Sequence, residues 1–235
     1  MIIARWIGAL VLSAMLAGPA AAAAPQPPGF SPTGQPSGFD VTGKTYAVDG
    51  YRGAKWGMTT VQVRQAIAKD FPDAKVGTDV IDPVTHAVML VIIVPHLAPG
   101  PGPMAITYVF GADGHKLFHV NLDWQADKAT AADQSAFIEA GSQVVANFLG
   151  YYWKLLSVAR GIPAGPNALI LFAGAGEAGG NVEVLLQGVG YSLKTAKGET
   201  LILPPPAAPT QLLLHVAFSQ SEKPADVYAI KPGEF

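Results

Sequence analysis

Several groups of residues have the types and spacing that could do chemistry. The stretch AGAGEAGGNVEV, from Ala173 to Val184, follows the apolar run ALILF and holds Gly174, Gly176 and Gly179 at the spacing G-x-G-x-x-G. A dinucleotide fold uses that spacing to lay a pyrophosphate on the N-terminus of the helix that follows. Here Val182, Val184 and Leu186 alternate with Glu183 and Gln187, a period of two. That is a strand, not a helix, so the glycines are read as the bend of a β-hairpin and no cofactor is expected.

His115 and His119 form an H-x3-H pair with Asp113 and Asp123 close by. On a helix both imidazoles would share one face and could share a metal ion, but Phe118, Val120, Leu122 and Trp124 alternate, which puts the segment on a strand. At about 3.3 Å per residue the two rings are then about 13 Å apart, too far for one ion. His115, His119, Asn121 and Asp123 are expected to share the polar face of that strand. His86, Met89, His96 and Met104, around the loop PHLAPGPGPM, include soft ligand types that suit copper, but their spacing matches no ligand pattern. None of Ser142, Ser157, Ser192, Ser219 and Ser221 stands in a G-x-S-x-G elbow, and the chain has no cysteine. No catalytic, cofactor-binding or metal-ligating residue is assigned. Tyr151, Tyr152 and Trp153 remain: Tyr152 continues a buried helical stripe, while Tyr151 and Trp153 point elsewhere, to a sheet edge or a contact surface.

These residues need elements to position them. Thr59 followed by Gln62 reads as a capping box, with Met58 and Val63 as a hydrophobic staple, opening a helix whose apolar residues are Val63, Ala66, Ile67 and Phe71 and which Pro72 stops. The run HAVMLVIIV is apolar at both parities, as in a central strand, and AITYVF and HKLFHVNLDW are joined through Asp113-Gly114 as an antiparallel hairpin. A second helix starts at Thr130 with Asp133 in its first turn and carries Phe137, Ala140, Val144, Val145, Phe148 and Tyr152 on one stripe, with Gly150 as a point of interruption and Gly161-Pro163 as the alternative ending. Three strand-like runs follow, from Ala168, from Asn181 to Leu193, and from Gln211. The expected fold is α+β: helix, three or four strands, helix, three strands, either as a tandem of two α/β units or as one continuous antiparallel sheet holding both helices.

Outside that body, residues 1–24 carry one cation at Arg5, an apolar core from Trp6 to Leu16 and an alanine run, the order of a cleaved secretory leader. The apolar stretch is short of the roughly 20 residues that span a bilayer, so no transmembrane segment is expected once the leader is removed. Residues 25–44 are a Pro/Gly-rich stalk, 45–223 the globular domain with possible halves 45–126 and 127–223, and 224–235 a polar tail. Loss of Arg5 leaves 14 basic against 17 acidic residues, a net charge near −3, with no basic cluster, which argues against nucleic acid.

The start Gly57-Met58-Thr59, with Val63 four residues on, resembles the G-M-T-x-x-x-V helix start of the repeat shared by small outer-membrane-assembly lipoproteins and secreted β-lactamase-inhibitor proteins. The resemblance implies a helix-plus-antiparallel-sheet module used for protein binding rather than catalysis. The expected function is therefore that of an exported, periplasmic or secreted, soluble, non-catalytic module whose partner is another exported or envelope protein. The candidate interaction surface is Tyr151, Trp153, His115, His119 and Asp123. Two alternatives stand beside it: a carrier of a small apolar ligand or lipid, and a hydrolase or metal-binding protein with its site near His115, His119 and Asp123.

Overall fold

The computed structural model describes residues 43–194, 200–204, 206 and 210–221. The leader, nearly all of the stalk and the tail assigned above lie outside the described residues. A small hairpin, β1 (Gly50–Tyr51) and β2 (Ala54–Lys55), precedes α1 (Thr60–Asp70). Then come β3 (Lys75–Ile81), β4 (Val88–Val94), β5 (Met104–Phe110), β6 (Leu117–Ala129) and α2 (Ala131–Leu149). The chain continues through β7 (Ile162–Gly165), β8 (Ala168–Ala175), β9 (Asn181–Gln187), the hairpin β10 (Tyr191–Lys194) and β11 (Thr200–Leu203), and β12 (Thr210–Ser219).

Both helices begin as their sequences require. The Thr59 amide donates to Gln62 Oε1 at 2.9 Å, and the Gln62 amide returns to Thr59 Oγ1 at 3.4 Å. At α2 the Thr130 amide donates to Asp133 Oδ2 at 2.7 Å, and the Asp133 amide to Thr130 Oγ1 at 3.3 Å. Each box satisfies two amides that the first turn would leave without a partner.

Eight strands form one antiparallel sheet in the order β3-β4-β5-β6-β12-β9-β8-β7. Each helix is thus followed by four strands of the sheet, and the last strand of each set, β6 and β12, meets the other at the centre. The register Leu122↔Val216, Trp124↔Leu214 and Asp123↔His215 fixes which parity faces which side. Leu90, Ile92, Ile106, Tyr108, Val120, Leu122, Val184, Leu186, Leu214 and Val216 face one way and join Val63 and Ile67 of α1 and Phe137, Ala140, Val145 and Phe148 of α2 in a single buried cluster. Both helices therefore cover the same face of the sheet, and both sets of strands share one core. No described helix is long and apolar enough to cross a membrane.

The expected strand count and order are corrected. Two strands precede α1, four follow it, and six follow α2 rather than three. The run from Asn181 to Leu193 is not one strand: it breaks at Gly188, whose φ of +86° turns the backbone, and β10–β11 becomes a separate hairpin. The α2 stripe also stops earlier than expected. Gly150 caps the helix after Leu149, so Tyr152 leaves the stripe and is 43% exposed.

Phe148 of α2 stacks on Phe172 of β8 at 5.5 Å between ring centroids and meets Tyr46, Trp153 and Phe218 edge-on. Replacing Phe148 by Ala should cost about 3–5 kcal/mol of stability. Differential scanning calorimetry should show one transition moved down as a whole. Two separated transitions would contradict a shared core.

Candidate functional site

The glycine motif resolves first. Gly176 accepts from the amide of Gly179 at 3.1 Å and donates its own amide to the Gly180 carbonyl at 2.7 Å, closing the turn between β8 and β9. β9 follows directly, so the hairpin reading holds and there is no helix N-terminus here to hold a phosphate. The glycines are there for space. A Cβ on Gly174 would come within 2.9 Å of the Trp153 ring, and one on Gly180 within 2.6 Å of the Val48 carbonyl oxygen. They admit Trp153 and the segment from Tyr46 to Val48 against the sheet end.

Of the two alternatives for Trp153, the ring contacts are those of packing at the sheet end. Its ring stacks on Tyr46 at 5.0 Å and leans on Phe172 at 5.1 Å, while its indole N–H donates to the Phe148 carbonyl at 2.9 Å. Tyr151 meets the Tyr46 ring edge-on at 5.1 Å. Tyr46, whose phenol burial pushes up to about 12, is the hub on which both rings rest. The exposed aromatic of the trio is Tyr152, the reverse of the helical-stripe expectation, because the chain has already left the helix.

His115 is also corrected. The strand begins at Leu117, and His115 sits in the β5–β6 turn with φ of +48°, exposed and off the polar face it was expected to share. His119 and Asp123 do lie on one face, with Asn121 between them, and β12 brings them partners that are remote in sequence. The His119 Nε2–H donates to Asn121 Oδ1 at 2.6 Å, and Nδ1 accepts from the Ser219 hydroxyl at 2.6 Å. His215 Nδ1–H donates to Asp123 Oδ1 at 2.6 Å. Burial pushes the His119 imidazole down to about 4, with nearby His215 adding to the shift and the Asn121 contact opposing it, so the ring is neutral.

These groups form a polar spine along the centre of the sheet face that the helices leave bare. Successive cross-strand rows read Met89-Val109-His119-Ser219-Asn181, then Val91-Thr107-Asn121-Ala217-Glu183, then Ile93-Ala105-Asp123-His215-Leu185. Asn121 and Asp123 are buried at the floor of this face, and Thr107 is 1% exposed with its hydroxyl unpartnered among the described residues. Glu183 stands between Ala217 and Ala173. Burial raises its carboxyl above the usual range, against the pull of His215. To either side the face is apolar and half-buried, with Val91, Ile93 and Val109 on one wing and Leu185, Leu213 and Ile170 on the other, all outside the core cluster.

What can this arrangement do? Ser219 donates to a ring whose basicity is depressed, which makes His119 a poor base for activating that hydroxyl. Among the described residues no group of three or more His, Cys, Asp or Glu is placed to hold a metal ion. Asn121, Ser219 and His215 satisfy His119 and Asp123 from within the sheet. Sequence reasoning missed His215 and gave Ser219 and Glu183 no place in a site. The period-two alternation of β9 and β12 marks each as a side chain on the polar parity, but only the β6–β12 register tells which face that becomes.

A scan against protein-family models, a search of curated proteins and a search of solved structures each find no match.

The His119 shift has a pH consequence. The unfolded ring takes up a proton near its ordinary 6.5, the folded one only at about 4. Stability present above pH 6.5 should therefore be lost as pH falls toward 4, by an amount on the order of 2–3 kcal/mol. Urea denaturation between pH 7 and pH 4 should show this slope, and His119→Gln should flatten it. An unchanged slope in the variant would assign the loss to other groups.

Proposed function

We propose that this chain is a non-catalytic binding module that receives another exported or envelope protein on the bare face of its sheet. One observation carries the reading: both helices cover one face, and the other presents half-buried apolar wings around a spine whose polar groups largely satisfy one another. Such a pattern, an apolar surface with few charges and a small number of placed polar groups, is that of a recognition surface rather than of a reacting centre. His119 and Asp123 belong to this surface. His115, in its turn, and Trp153, in the aromatic packing, do not.

Glu183 supplies the chemistry by which a partner would be chosen. It is a half-buried carboxyl flanked by alanines, with no hydrogen bond among the described residues, and it invites a cation or an N–H donor from the partner. The paired carboxyl of Asp123 does not. A charged group held between small side chains and ringed by apolar residues is the setting in which a single contact carries much of the binding energy. The helix start that resembles protein-binding export modules points the same way.

The test is native mass spectrometry of the protein purified from its producing cell, before and after denaturation. A second polypeptide attached to the wild type, and lost from Glu183→Gln and from Leu185→Asp, is the expected result. Glu183→Gln should leave thermal stability unchanged or higher, because it removes an unpaired charge from a half-buried place. A small mass released on unfolding, with no polypeptide, would replace the reading with that of a carrier.

A further inference from the structure

The longest stretch without an acid in the described body runs between Glu139 and Glu177 and contains two cations, Lys154 and Arg160. Between them the chain makes a tight turn, closed by the Ser157 amide donating to the Lys154 carbonyl at 3.1 Å. Leu155 and Leu156 fill its two central positions and are 72% and 78% exposed, the most exposed large apolar side chains among the described residues.

Leu156 holds φ of +61°. That is a left-handed conformation which glycine or asparagine takes easily and leucine does not. The turn is strained, and the strain presents an apolar side chain to solvent.

Its base, by contrast, is pinned on every side. The Tyr152 amide donates to the Lys44 carbonyl at 2.9 Å, and Tyr46 donates back to the Tyr152 carbonyl at 3.1 Å. The Lys154 amide donates to the Ala175 carbonyl at 2.9 Å, and the Ser157 hydroxyl bonds the Lys154 carbonyl at 2.7 Å. Trp153 is wedged between Tyr46 and Phe172. Two exposed leucines thus follow, within four residues, the exposed Tyr152 on a hydrogen-bonded base. Ion pairs among the described residues, such as Lys55 with Asp49, Arg64 with Asp79 and His215 with Asp123, do not use Lys154 or Arg160.

An apolar tip, a tyrosine at its shoulder and unpaired cations on either side match the layers of a membrane interface: acyl boundary, headgroup level and anionic surface. We propose that the turn from Lys154 to Ser157 is a lipid-contact element that seats Leu155 and Leu156 in an anionic bilayer, with Lys154 and Arg160 against its phosphates. This goes beyond the protein-binding reading and uses a different part of the molecule. The turn lies beyond β8 at the sheet end, away from the spine of β6 and β12, so both contacts can be made at once.

The experiment is co-sedimentation with vesicles of phosphatidylcholine containing phosphatidylglycerol, and with phosphatidylcholine alone, using protein purified from its producing cell. The wild type should pellet with the anionic vesicles, and less so as salt is raised. Lys154→Gln and Arg160→Gln should each weaken partitioning about fivefold. Leu155→Ser with Leu156→Gly should weaken it at least tenfold while the melting temperature stays at or above that of the wild type, since glycine accepts the φ that leucine does not. Three results would overturn the proposal: wild-type protein that stays in the supernatant at every lipid concentration, undiminished binding by the double leucine variant, or, in place of vesicle binding, a dimer in lipid-free solution that the same double change dissolves. Loss of vesicle binding in the leucine variant with the polypeptide partner still attached separates this proposal from the fate of the sheet face.

Discussion

The pairing of β6 with β12 is the contact on which the rest of the architecture depends. Every other neighbouring pair in the eight-stranded sheet is closed by a local connection or by the short excursion through β10 and β11. This one joins residues as far apart in sequence as His119 and Ser219, separated by 100 positions. Ordering so long a loop costs entropy that only a long, well-registered ladder can offset. β6, with 13 residues, and β12, with 10, supply it.

Register at that seam is held by both faces at once. On the helix side Leu122 meets Val216 and Trp124 meets Leu214, and on the bare side Asp123 meets His215 and His119 meets Ser219. If β12 slipped by one residue against β6, His215 and Ser219 would turn into the apolar core and Leu214 and Val216 outward, away from their partners on β6. The polar spine therefore stabilises the register whatever it binds, because His119, Asn121, Asp123, His215 and Ser219 are bonded where they stand and would be orphaned elsewhere. The candidate surface and the fold-determining contact are thus carried by the same two strands, through alternate side chains on opposite faces.

At one end of the sheet the same economy appears in the aromatic packing. Tyr46, from the segment before α1, is held against Phe148 of α2 and Trp153 just after it, so the segment before α1 closes over the second half of the domain. Gly174, Gly176 and Gly180 make this possible by presenting no side chain where Trp153, Tyr46 and Val48 approach. The wall that results is rigid. In the neighbouring turn Leu155 and Leu156 stay largely exposed.

The amino-acid sequence by itself determined the local elements. Thr59 with Gln62 and Thr130 with Asp133 start both helices where their capping chemistry is complete within four residues, and the alternation of Val182, Val184 and Leu186 is enough to refuse a nucleotide loop. It also marked His119 and Asp123 as polar residues on one strand face. What it left open was every feature decided by a partner far along the chain. The helix end stayed open between Gly150 and a stripe reaching Tyr152, because periodicity continues past Gly150 although the helical backbone does not. His115 was placed on the strand because alternation says nothing about where a turn ends. Trp153 was left between a sheet edge and a contact surface because only the fold brings Tyr46 and Phe172 to it. His215, Ser219 and Glu183 gained a role only when β6 and β12 paired, since hydrogen bonding and burial are set by distances in space and a period of two carries no information about which strand lies alongside.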